Sequence, residues 1–179
     1  MKVYVMRHGT TVWNEKGIIQ GHCANRLSKN GKTLVASVAE KFKNEKFDVI
    51  FSSPLMRTMQ TANIMNATHK AKIIKDKRLI EVDKGIFTAR AKETLTKEEI
   101  LLREQNDKSC KMESYENVFS RTMDFLEFLK KQQYSSVLIV THGIVATMLS
   151  DVLEGKKIDF NDSKKLSRFA NAEVKSFNL

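Results

Sequence analysis

Residues 136–155 read SVLIVTHGIVATMLSDVLEG, and the fold turns on them. Ser136–Thr141 is an almost unbroken apolar run of strand length. Such a run belongs inside a sheet covered on both faces, not in one with a wet face. Ile144, Val145, Met148, Leu149, Val152 and Leu153 then recur at helical spacing. Gly155 stands where that helix should stop. Thr141-His142-Gly143 lies between strand and helix.

Working outward, the same pattern repeats. Lys2–Met6 holds Val3, Tyr4 and Val5 and reads as a buried strand ending at Arg7. Leu34, Val35, Val38, Ala39 and Phe42 fall on one face of a helix. Asp48–Ser52 is a second buried strand. Ser53-Pro54 reads as an N-cap followed by proline at the first helical position, and Leu55, Met59, Ala62 and Met65 continue that helix. Ala71–Lys75 is a third short strand. Thr96 to Glu99 (TKEE) is a capping box that should open another helix. Val118, Phe119, Thr122, Phe125, Leu126 and Leu129 form a further apolar stripe. Ala172–Phe177 alternates and reads as an edge strand. Met56, Met59, Met65 and Met148 read as core filler. Strands alternating with helices predict a three-layer α/β/α sandwich. Its central sheet is expected to be mainly parallel, with an antiparallel edge strand.

A chain of 179 residues suits one domain over 1–179 and is long enough to bury a core without metal or disulfide. With 41 % hydrophobic and 29 % charged residues, wholesale disorder is excluded. Cys23 and Cys110 lie in no CxxC or Cys/His cluster, so a zinc site is not expected and two reduced thiols are. The apolar runs are too short to span a membrane. The opening MKVYVMRHG has no signal-peptide h-region, and a cytoplasmic location is expected. The net charge of +10 fits nucleic acid, an acidic membrane surface or an anionic small substrate alike. The basic run 156–168 holds Lys156, Lys157, Lys164, Lys165 and Arg168 against Asp159 and Asp162. No basic stretch is interleaved with aromatics, which counts against RNA or single strands.

In open α/β sheets ligands sit beyond the carboxyl ends of the strands. The first strand ends in Arg7-His8-Gly9, the second runs into Ser52-Ser53-Pro54 with Arg57 close behind, and the apolar run ends in Thr141-His142-Gly143. Two arginines and two histidines at one sheet end suit phosphate chemistry. Guanidinium groups bind phosphate bidentately, and histidine can be a neutral nucleophile or a charged stabiliser. Glycine after each histidine would let backbone approach the ligand.

Arg7-His8-Gly9-Thr10-Thr11-Val12-Trp13-Asn14 resembles the signature of the histidine phosphatase superfamily, the phosphoglycerate mutase-like family. Further segments resemble that family in order along nearly the whole chain. They are Gln20-Gly21 with Leu27-Ser28 and Gly31; Ser52-Ser53-Pro54-Leu55 with Arg57, Gln60, Thr61 and Ala62; Leu79, Glu81 and Gly85; Glu113-Ser114 with Arg121; and Val140-Thr141-His142-Gly143. The resemblance implies that His8 attacks phosphorus and carries it as phosphohistidine. It implies that Arg7, Arg57 and His142 hold the phosphoryl oxygens, with Asn14, Gln20, Gly21 and Gly143 lining the substrate site. Glu81 would be the general acid, then the general base. Asp83, two residues on, is its rival, and Leu79 and Gly85 favour Glu81 by register. No metal or cofactor is expected, and the implied partner is a small phosphomonoester.

His22 and His69 lack motif support and read as surface histidines. Lys84 and Arg90 could reach substrate, with surface charge as the plainer reading. After Gly85 the family's aromatic survives as Phe87, but Thr88-Ala89-Arg90 departs from the pattern that follows in many relatives. Residues 88–112 are compact and highly charged and are the expected lid or specificity segment. Because this segment is short, a phosphatase is favoured over a cofactor-dependent mutase. A catalytically weak phospho-ligand module is the remaining alternative.

Overall fold

Along β1 (Lys2–Arg7), successive side chains enter two different cores. Val3 and Val5 belong to one apolar cluster, Tyr4 and Met6 to another. The period of two thus places a covered face on each side of the sheet. The computed structural model describes residues 1–160 and 169–179.

After β1 come a short helix α1 (Val12–Glu15), α2 (Lys29–Lys41), β2 (Val49–Ser52), α3 (Met56–Met65) and β3 (Lys72–Lys75). Tight helical turns at 77–79, 85–87, 92–94 and 108–110 surround α4 (Lys97–Glu104). Then follow α5 (Tyr115–Lys130), β4 (Ser136–Thr141), α6 (Gly143–Leu153) and β5 (Val174–Asn178). The sheet order is β3-β2-β4-β1-β5. The first four strands run parallel, and β5 pairs antiparallel to β1 at the edge. Val35 of α2 and Ala62 and Met65 of α3 pack with Tyr4, Met6 and Ile50 on one face. Phe125 and Leu129 of α5 and Val145 and Leu149 of α6 pack with Val3, Val49 and Ile139 on the other. The expected three layers and antiparallel edge strand are both present.

The register explains why distant motifs meet. Arg7 pairs with Thr141, and Ser52 with Val140, so β1, β4 and β2 end level with one another. The chain leaves β1 toward one face and β4 toward the other. That reversal opens a crevice at their carboxyl ends.

Several local expectations need correction. The third helix starts at Met56, with Leu55 extended as its N-cap, not at Ser53-Pro54. The Ser53 hydroxyl is held by other partners, described below. Met56 is 49 % exposed and Leu34 40 % exposed, so neither is core. Helix α1 was not anticipated; Thr11 and Asn14 close a capping box around it. In the basic run 156–168, Lys156 pairs with Glu154. Lys164, Lys165, Arg168 and Asp162 lie outside the described residues.

Candidate active site

The crevice is a cavity of about 330 Å³. Arg7, His8, Asn14, Gln20, Gly21, Arg57, Glu81 and Gly143 all line it. Residues spread over more than 130 positions of sequence therefore share one wall, as the level strand ends require.

His8 is 3 % exposed. Its Nδ1 donates to the Gly9 carbonyl at 2.7 Å. A carbonyl can only accept, so Nδ1 carries the hydrogen and Nε2 keeps its lone pair. Burial, then the charges of Arg57 and Arg7, hold the His8 pKa well below the usual histidine value. The ring is therefore neutral at neutral pH, with one nitrogen fit to attack an electrophile.

The two arginines are anchored differently. Arg7 donates from Nη1 to the Phe169 carbonyl at 2.6 Å. Its buried Nε has no partner among the described residues. Arg57 is 1 % exposed. It donates from Nε to His142 Nδ1 (3.1 Å), from Nη1 to the Cys23 carbonyl (3.1 Å) and from Nη2 to the Gly21 carbonyl (2.8 Å). A guanidinium has five N–H groups, so two remain for a ligand. Burial lowers the Arg57 pKa to about 10, which leaves it charged at neutral pH.

His142 is fully buried, with its ring centroid 5.3 Å from that of His8. Its Nδ1 accepts from Arg57, so Nε2 carries the hydrogen and donates to Ser53 Oγ at 2.8 Å. Burial and the nearby cations hold its pKa well below the usual value. It does not itself line the cavity. Here His142 orients Arg57, and Ser53 orients His142. From sequence Ser53 reads as a helix cap and as part of the Ser52-Ser53-Pro54 motif at a strand end, without its role as the partner of His142.

The supporting residues divide by role. Asn14 Oδ1 accepts from Thr11 N and Oγ1, which leaves its amide to donate. Gln20 Oε1 accepts from Asn25. Gly21 has φ +50°, a left-handed conformation that favours glycine, and its carbonyl meets Arg57. Gly143 opens α6 against Arg7 and Glu81. Gly9 serves packing: a Cβ there would lie 2.5 Å from Val35 Cγ2. The expectation that the glycine after His8 faces the ligand is corrected on this point.

Glu81 lines the cavity, and Asp83 does not. Asp83 Oδ1 accepts from the Gly85 backbone at 2.9 Å. Glu81 is held by its backbone: its carbonyl accepts from His22 Nε2 (2.6 Å) and from Arg121 Nη2 (3.3 Å). Arg121 is in turn gripped by Glu113 at 2.9 Å and 3.0 Å. His22 is an exposed histidine, as expected, and in addition braces the Glu81 backbone. His69 lies against Phe47, ring centroids 4.7 Å apart, away from the cavity.

The outer wall comes largely from the segment after Glu81. Lys84, Lys92, Arg103, Glu104 and Tyr115 line it. Phe87 is fully buried with Ile19, Leu95 and Cys110. Arg90 pairs with Glu99 and so fastens the start of α4, rather than reaching the cavity. Cys23 is half-buried, Cys110 is buried, and they are not bridged. Among the described residues no His/Cys/Asp/Glu group is placed to hold a metal, and no helix is long and apolar enough to cross a membrane.

Residues 3–178 match the family model of the histidine phosphatase superfamily, branch 1. A phosphoserine phosphatase of Hydrogenobacter thermophilus is 31 % identical over 151 residues, covering 80 % of this chain and 72 % of that protein. A protein of Proteus mirabilis named a probable phosphoglycerate mutase is 34 % identical over 161 residues, 86 % of this chain and 75 % of its own. The crystal structure of an alpha-ribazole phosphatase from Shigella flexneri superposes with a TM-score of 0.85 at 22 % identity, covering 100 % of this chain and 91 % of that one.

Proposed function

The chain belongs to the histidine phosphatase superfamily, and from that premise we propose that it hydrolyses a small phosphomonoester through a phosphohistidine on His8. The observation that carries this reading is the state of His8. It is buried and neutral, with Nδ1–H fixed on Gly9 and Nε2 available beside two guanidinium groups.

In the first step His8 Nε2 bonds to phosphorus and the ester P–O bond breaks. Glu81, protonated, gives its proton to the leaving oxygen. Arg7 and the two remaining N–H groups of Arg57 hold the equatorial oxygens, where charge gathers in the transition state. The N-terminus of α6 at Gly143 adds a favourable dipole. In the second step water attacks the phosphohistidine, Glu81 takes the water's proton, and inorganic phosphate leaves. His142 keeps Arg57 in register throughout. Asn14, Gln20 and Gly21 shape the rest of the phosphoryl pocket. Positive charge comes from the arginines, so no metal or cofactor is required. Residues 88–112 supply the specificity wall. We place the protein in the cytoplasm, acting on a metabolite and not on nucleic acid.

Relatives named both as phosphatase and as probable mutase keep a mutase-type phosphotransfer as the second reading. The test is turnover of p-nitrophenyl phosphate and a panel of phosphorylated metabolites in the presence of a chelator. Phosphate release is expected. Efficient isomerisation of 3-phosphoglycerate with a bisphosphoglycerate primer, beside slow hydrolysis of every compound, would reverse the assignment.

A further inference from the structure

The chain entering β5 clasps the turn that carries the nucleophile. Arg7 N donates to the Glu173 carbonyl at 3.1 Å, and Arg7 Nη1 to the Phe169 carbonyl at 2.6 Å. Ala172 N donates to the His8 carbonyl at 3.2 Å. The Asn171 side chain adds three contacts from one nitrogen. Its Nδ2 lies 3.1 Å from the His8 carbonyl oxygen, 3.4 Å from that of Gly9 and 3.4 Å from Asn14 Oδ1. All three are acceptors with no hydrogen to give. The Asn171 amide can therefore sit only this way round, since its own oxygen would find no donor among them.

Two of the three acceptors belong to groups the chemistry uses. The Gly9 carbonyl fixes the His8 hydrogen on Nδ1. Asn14 Oδ1 is held by Thr11 and Asn171 together, which leaves the amide nitrogen of Asn14 free to donate in the cavity it lines. The adjoining backbone is strained. Ala172 is 3 % exposed and has φ +61°, in the left-handed region that residues other than glycine rarely adopt. The turn is closed by Glu173 N on the Ala170 carbonyl at 3.2 Å. It brings the Ala172 N–H and the Asn171 amide to the same His8 carbonyl. Strain of this kind persists where the surroundings over-determine it, and it gathers at functional sites. A clasp serving the fold alone would be complete with the backbone bonds of Arg7 and Ala172.

We infer that Asn171 is a positioning residue for the phosphoryl site. It holds the Gly9 carbonyl against His8 Nδ1–H and sets the carboxamide of Asn14. His8 Nε2 and the Asn14 amide are thereby presented to one phosphoryl group. This rests on the phosphohistidine reading for the identity of that group. Asn171 does not line the cavity and does not touch substrate. Its effect falls on the aim of the attacking nitrogen, and so on kcat. Arg7 and Arg57 still bind the phosphoryl oxygens without it, which keeps KM nearly constant.

The test compares Asn171→Leu, which keeps the volume and removes the N–H groups, with Asn171→Ala, which also removes the bulk. Either variant that folds suffices. With p-nitrophenyl phosphate, kcat should fall about tenfold to a hundredfold, the scale of a misplaced reacting group, with KM nearly unchanged. In an Asn14→Ala background the same substitution should cost less than in wild type, because part of its effect runs through Asn14. The His8 half is read without catalysis. Nitrogen NMR of the histidine-labelled protein, free of substrate, should show His8 as a single Nδ1–H tautomer in wild type and as a mixture in the variant. If wild type turns over neither p-nitrophenyl phosphate nor any phosphorylated metabolite, the phosphatase reading fails and the tautomer alone decides the positioning of His8. With an active wild type, an unchanged kcat, a loss carried by KM, equal cost in the two backgrounds or an unaltered His8 tautomer would each overturn the inference. Loss of the fold in both variants, read by circular dichroism, would overturn it too, since Asn171 would then be structural.

Discussion

At the residue scale, proton placement on His8 and Glu81 decides the chemistry. His8 must be neutral to attack, and its pKa is depressed by burial and by Arg57 and Arg7. For a depressed pKa the reactive form persists to lower pH than in a free histidine. The acid limb of kcat/KM, which reports the free enzyme, should therefore lie below about pH 6.5, the unperturbed histidine value. Removing a cation should move it up, so Arg7→Met should shift the limb toward higher pH as well as slowing the reaction. A limb at or above the free value in wild type would contradict the assignment. Glu81 is the residue for which sequence offered a rival. The cavity places Glu81 on its wall, while Asp83 is spent on Gly85 and faces His22. A general acid matters most for poor leaving groups. Glu81→Gln should slow an alkyl phosphate by about 10²–10⁴-fold and p-nitrophenyl phosphate far less. Asp83→Asn should show no such dependence; the opposite pattern would make Asp83 the acid. Arg7, His8, Arg57 and His142 were legible because their motifs stand at or just beyond strand ends. The contacts of Ser53 and His22 were not, although Ser53 stands in one of those motifs, because each meets a partner, His142 or the Glu81 carbonyl, that only the fold brings near. Lys84 reads first as surface charge, with reach to substrate as the other reading, and it lines the cavity.

At the scale of elements, the apolar stripes and the Thr96–Glu99 capping box marked their helices correctly. The Ser53-Pro54 reading failed because a stronger partner took the serine hydroxyl, and Leu55 became the extended residue before the helix. Helix α1 was missed because four residues carry no periodicity; its only signal is the Thr11/Asn14 box. The docking of α2 on β1 makes a sharp prediction. A Cβ at Gly9 would lie 2.5 Å from Val35 Cγ2 and 3.1 Å from the Gly31 carbonyl. Gly9→Ala should cost about 1–3 kcal/mol by overpacking, read as a lowered denaturant midpoint. Val35→Ala, in the same background, should restore part of that loss. If Gly9→Ala is neutral on its own, α2 is not seated as described.

At the scale of the molecule, the sheet was legible because buried strands and amphipathic helices alternate with different periods. The strand order β3-β2-β4-β1-β5 was not, since nothing local says that β4 inserts between β2 and β1. That insertion is what brings His142 beside His8. The net charge of +10 belongs to this scale too. A cationic surface around a cationic cavity should steer dianions toward the mouth. Raising ionic strength from about 0.01 M to about 1 M shortens the screening length from about 30 Å to about 3 Å. Across that range kcat/KM should fall, while kcat changes less. A salt-independent kcat/KM with tight DNA binding would point the charge at nucleic acid instead.

The central claim is that phosphorus passes through His8. Its most direct measurement is acid-free quenching of the wild-type protein during turnover of a labelled phosphomonoester, followed by peptide mapping. The account predicts label on the peptide holding His8, on a ring nitrogen, stable to base and lost in acid. It predicts no label and no turnover in His8→Ala. Label on another residue, or phosphate release by His8→Ala at the wild-type rate, would contradict it.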